Sequence, residues 1–163
     1  MIAGSRAGRL VLWSGMGALI ALMACSTSAE STPDTASNPA EIPESTIEPG
    51  AARIYLSEPS GDYQAGWADI TEEASGLRIV ISVEPAEPAA QPIHIHAGTC
   101  ETVGEVVYSL ENVVGGQSNT LLPNLKLAAV ADGELVINLH RSFSEFRVFT
   151  ACGVIPVMPP DLS

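Results

Sequence analysis

Leu77-Arg78-Ile79-Val80-Ile81-Ser82-Val83-Glu84 decides the fold class. Leu77, Ile79, Ile81 and Val83 fall on one face at period two. Arg78, Ser82 and Glu84 fall on the other, which is the pattern of a half-buried β-strand. Similar short segments lie on both sides of it. Ala65 to Thr71 precedes it across the turn Glu73-Ala74-Ser75-Gly76. Arg53 to Ser57 comes earlier, closed by Pro59-Ser60-Gly61-Asp62. Val106 to Leu110 and Ser118 to Leu122 flank Gly115-Gly116, a hairpin signal. Leu135, Ile137 and Leu139 alternate after the Asp132-Gly133 turn, and Val148 to Cys152 comes before Pro156, Pro159 and Pro160. Turns at this spacing predict an all-β domain of about eight antiparallel strands, a Greek-key barrel or sandwich. Leu122 to Ala131 reads as a short helical turn or an irregular crossover. No internal repeat is visible.

Only part of the 163 residues belongs to that domain. Arg6 and Arg9 precede an apolar stretch of 15 residues, Leu10 to Ala24, too short for an ordinary spanning helix. It ends in Leu22-Met23-Ala24-Cys25, which resembles the bacterial lipobox, whose cysteine becomes the lipidated first residue. This reading makes residues 1–24 a signal peptide and Cys25 the lipidation site. With Ser26 next, it implies an outer-membrane lipoprotein facing the periplasm in a Gram-negative host. The alternatives are a plain signal peptide cut elsewhere, or a short anchor. From Cys25 to residue 52, Ser, Thr, Pro, Ala and Glu dominate without apolar periodicity, so this stretch reads as a disordered tether. The folded domain is expected at 53–158, with a tail at 159–163.

Charge narrows the partners. The chain carries 7 basic and 19 acidic residues, a net charge of −12, and neither basic residue of the leader survives its removal. The mature chain would stand at −14. Clustered Lys and Arg are missing, which argues against nucleic acid and against a polybasic membrane patch. The expected membrane contact is the lipid anchor alone.

Three histidines can be followed one by one. His94 and His96 sit in Ile93-His94-Ile95-His96, where the isoleucines take the core face and both imidazoles point the other way. Leu135, Ile137 and Leu139 likewise leave His140 on the outer face with Asn138. If the two strands are neighbours, three imidazoles converge on one ion. Neutral imidazole suits copper and zinc, and three protein ligands leave one position open. The alternative is an ordinary polar outer face. Cys100 and Cys152 lack the paired spacing of a zinc finger. An exported location favours a disulfide between them over two free buried thiols.

These residues carry a family resemblance. Pro92-Ile93-His94-Ile95-His96-Ala97-Gly98-Thr99-Cys100 resembles the copper strand and following half-cystine of the copper/zinc superoxide dismutases. Ala151-Cys152-Gly153-Val154-Ile155 is similar to that family's segment with the second half-cystine, and Ile137-Asn138-Leu139-His140 to the strand with its last copper histidine. The resemblance covers about residues 63–157. It implies a Greek-key barrel, one copper ion at His94, His96 and His140, and a Cys100–Cys152 bridge. The H-I-H-x-G of His94 to Gly98 and the late Ile137-Asn138-Leu139-His140 also resemble chordin-type domains, whose late pattern is V-x-L-H.

The departures are specific. Only Glu101 to Glu105 separate Cys100 from Val106, where the family has its long zinc loop. No fourth histidine exists to bridge copper and zinc, so no zinc is expected. Phe149 stands where the family has its active-site arginine; Arg147 and Arg141 are the substitutes within reach. Three functions follow as expectations. The first is a copper-binding envelope lipoprotein that buffers, delivers or senses copper, with a copper-handling protein as its expected partner. The second is a zinc-free copper superoxide dismutase. The third is a metal-free, chordin-like interaction domain, which histidines far apart in space would favour.

Overall fold

The computed structural model describes residues 43–58 and 63–159. The expected signal peptide, Cys25, the expected tether as far as residue 42, the expected turn Pro59-Ser60-Gly61-Asp62 and the expected tail from 160 lie outside the described residues.

The described chain forms nine strands: β1 (Thr46–Glu48), β2 (Ala51–Ser57), β3 (Ala65–Glu73), β4 (Gly76–Glu84), β5 (Ile93–Gly98), β6 (Val103–Ser109), β7 (Gln117–Pro123), β8 (Leu135–His140) and β9 (Phe149–Val154). One 3₁₀ turn, Leu127–Ala129, lies in the crossover between β7 and β8. The Glu72 carboxylate docks it by accepting from the Leu127 N–H at 3.0 Å. All pairings are antiparallel, and the sheet runs β6-β5-β8-β9-β2-β3-β4-β7, curled into a half-barrel. β7 returns to lie beside β4 although β5 and β6 intervene in sequence, a Greek-key return.

Alternation explains the core. Leu77, Ile79, Ile81 and Val83 of β4 are all buried, as are Ile54 and Leu56 of β2, Ile93 and Ile95 of β5, and Ile137 and Leu139 of β8. They form one cluster with Leu127, Val130 and Ile155. Burying an aliphatic side chain of this size is worth roughly 1.5–3 kcal/mol, so this cluster supplies most of the drive to fold.

Two expectations need correction. The folded region begins before Arg53. β1 pairs with β2 through Thr46↔Arg53, Ile47↔Ala52 and Glu48↔Ala51. β9 meets β2 only at Ser57↔Cys152 and leaves the rest of that edge open. β1 takes up the open part, and the Ser45 hydroxyl accepts from the Tyr55 N–H at 2.9 Å.

The second correction concerns Gly115-Gly116. The turn is there, with φ of 58° and 79°, the left-handed pair that a type I′ turn demands. It joins Val114 to Gln117, however, and not β6 to β7. β6 pairs with β5, and β7 pairs with β4, at opposite ends of the sheet. The segment between them is tied to β7 by side chains: Ser118 Oγ donates to the Glu111 carbonyl at 2.6 Å, and the Glu111 N–H donates to Thr120 Oγ1 at 2.8 Å.

Candidate metal centre

β5 and β8 are neighbours, paired from Ile93↔Leu139 to Ala97↔Leu135. That pairing sets His94 and His96 beside the strand that ends in His140. One nitrogen from each ring can be chosen so that all three lie within 4.8 Å of one another. Ring centroids are 5.0–5.7 Å apart. His–metal bonds of about 2.0–2.1 Å require donors within about 4.2 Å of each other, so a small ring rotation closes the set.

The face is outward with respect to the core, as the alternation requires, but it is not an exposed surface. His140 is 1% exposed and His96 5%; His94 alone is half-open. The cover comes from the 141–148 loop and the start of β9. Phe146 stacks on the His140 ring at 3.9 Å and 15°, and Phe149 meets it edge-on at 5.2 Å. Strand periodicity carries no information about where a loop folds back, so the sequence did not reveal this burial.

Backbone carbonyls orient two of the rings. His96 Nδ1 lies 3.0 Å from the Gly104 carbonyl, and His140 Nδ1 lies 2.5 Å from the Phe146 carbonyl. A carbonyl accepts only from N–H, so each fixes the ring proton on Nδ1 and leaves the Nε2 lone pair free. The Gly104 contact depends on close approach of β6 to β5: a Cβ on Gly104 would sit 2.7 Å from the Ala97 carbonyl oxygen. His94 Nδ1 lies 3.0 Å from His140 Nε2. With no proton on that Nε2, His94 Nδ1–H is the donor. An ion taken up between them would replace this hydrogen bond, with the His94 proton moving to its own Nε2.

One atom tests whether these residues suit a metal. His96 Nε2 is buried and has no hydrogen-bond partner. A buried lone pair without a donor is costly, and a Lewis acid satisfies it. Electrostatics agree. Burial, then the neighbouring His140 and His96, lowers the His94 pKa to about 4. Burial lowers that of His140 as well, partly opposed by the Phe146 carbonyl. These two rings are therefore neutral at pH 7, the form that binds metal.

Cys100 and Cys152 form the expected disulfide, with Cα atoms 5.8 Å apart. The structure places both arginine candidates in the loop between β8 and β9. Arg141 sends its guanidinium over the Tyr63 ring at 5.2 Å and to within 3.9 Å of Glu145. Arg147 lies exposed in the loop before β9, not on the strand face. Phe149 occupies the position expected of an arginine, with its ring on His140. Sequence reasoning missed Phe146 and the Gly104 carbonyl. The only available signal was the spacing of Phe143, Phe146 and Phe149 after His140.

No protein-family model matches the chain, and no curated protein matches it either. The chemistry of the site therefore has to be argued from its own residues.

Proposed function

We propose that this protein is an exported, lipid-anchored copper-binding protein that holds one copper ion through His94, His96 and His140. The carrying observation is the unpartnered, buried Nε2 of His96 within a three-imidazole set. Three imidazole nitrogen donors suit copper in either common oxidation state. The Leu22-Met23-Ala24-Cys25 segment supports export and lipidation at Cys25, with the protein at the outer membrane facing the periplasm.

Binding is favoured over turnover of superoxide. Turnover needs attraction for an anion and a proton source beside the metal. Around His140 stand two phenylalanine rings, while Arg141 is engaged with Tyr63 and Glu145. Buffering, delivery or sensing of copper asks only for the ligands and for His94, the half-open member, as the route of exchange.

Titration of the metal-free protein with Cu(I) and Cu(II) against competing chelators tests this. One equivalent is expected to bind, and His140→Ala should weaken it at least tenfold. Uptake at background level, or equal binding by His140→Ala, would overturn the proposal. A superoxide assay on the loaded protein should give no rate above that of a copper-free control.

A further inference from the structure

Three buried side-chain nitrogen and oxygen atoms lack a hydrogen-bond partner among the described residues: His96 Nε2, and both Nδ2 and Oδ1 of Asn138. They lie on one covered face of two paired strands. Asn138 is fully buried. It stands directly across from His94 on β5, while His96 is opposite Val136, two residues along. On its own strand, His140 is two residues further on the same face. Its other neighbour, on β9, is disulfide-bonded Cys152. Directly opposed residues bring Cβ atoms to about 4.5–5.5 Å, and diagonal ones to about 7–8 Å. Asn138 thus sits at the base of the triangle that the three histidines form.

We infer that Asn138 is a fourth protein group of the metal centre, presenting its carboxamide oxygen to the ion from below the imidazoles. This rests on the copper reading above and extends it to the oxidation state that the site prefers. An apolar residue would fill this position without loss, as the neighbouring Val136 does. A carboxamide placed there with neither end paired carries a desolvation cost that a cation can relieve. Its oxygen has lone pairs to offer and no competing donor among the described residues. Three imidazoles alone serve Cu(I) well. An added hard oxygen donor favours Cu(II), so Asn138 lowers the reduction potential of the bound copper.

The test compares the parent with Asn138→Val and Asn138→Asp, each loaded with one equivalent of copper. Folding is checked by far-UV circular dichroism. Electron paramagnetic resonance of the Cu(II) form and the Cu(II)/Cu(I) potential are the readouts. The valine variant should still bind copper, with a changed spectrum and a potential raised by about 59 mV for each tenfold loss in the Cu(II)-to-Cu(I) affinity ratio. The aspartate variant should move the potential the opposite way. If the valine variant does not fold, Asn138→Ala takes its place, because the charge of the aspartate lowers the potential whether or not it binds the ion. Identical spectra and potentials in the parent and the folded uncharged variant would mean that Asn138 is only a buried residue of the sheet, and would overturn the inference. A parent protein that binds no copper would instead overturn the copper reading itself.

Discussion

Replacing both Cys100 and Cys152 by serine should remove about 4 kcal/mol of stability. The bridge spans 52 positions and joins the turn after β5 to the strand β9. In the chain-entropy picture, freeing a loop of that length returns about 14 cal/mol/K to the unfolded chain, which is about 4 kcal/mol at 25 °C. A domain of this size has roughly 5–15 kcal/mol in all, so the loss is large but survivable. Urea unfolding of parent and double variant measures it. With a slope of roughly 1–2 kcal/mol/M, the midpoint should fall by about 2–4 M. Copper binding should weaken too. Thr99 and Thr102, around the bridge, close a turn through reciprocal backbone hydrogen bonds at 3.2 Å, and that turn leads to the Gly104 carbonyl that orients His96. A midpoint shift below about 0.5 M would refute the reasoning, because the bridge would then not be restricting the unfolded chain.

Two further predictions concern His94 and His140. In the metal-free protein His94 should titrate with a midpoint near 4, as burial and its two histidine neighbours require; its ring proton shifts report this directly, and a midpoint at the ordinary 6.5 would contradict it. The sign for stability follows. Between about pH 4 and 6.5 the unfolded chain binds the proton that folded His94 refuses, so its contribution makes the metal-free protein more stable as pH rises through that window. Phe146→Ala should cost about 1 kcal/mol of ring–ring contact, let water reach His140 and return its pKa toward 6.5. Copper should also leave that variant faster, and an unchanged dissociation rate would show that the ring is not part of the cover.

What the sequence disclosed, and what it did not, divides by range of interaction. β4 was legible because four aliphatic residues at period two meet one core, and β2, β3, β5 and β8 followed for the same reason. The same alternation turned all three histidines to the opposite face, and their convergence needed only β5 and β8 to be neighbours. β1 was illegible: of its three residues only Ile47 packs against the core, too little for a pattern, and the strand exists because β9 leaves an edge of β2 free. At Gly115-Gly116 the local backbone demand was readable, but the partner of β7 was not, since a turn does not specify which distant strand pairs beyond it. The cover over His140 and the orphaned carboxamide of Asn138 depend on how a loop and two strands come together in space. Asn138 was visible as an outward-facing residue, and only its burial without partners gives it meaning.

X-ray absorption at the copper edge, on protein loaded with one equivalent of copper, addresses the metal centre most directly. The outer-shell scattering of coordinated imidazole counts histidine ligands independently of any activity. Three imidazoles per copper in the parent, and two in His140→Ala, are expected. Copper bound without imidazole scattering, or with the same count in both proteins, would contradict a centre built from His94, His96 and His140.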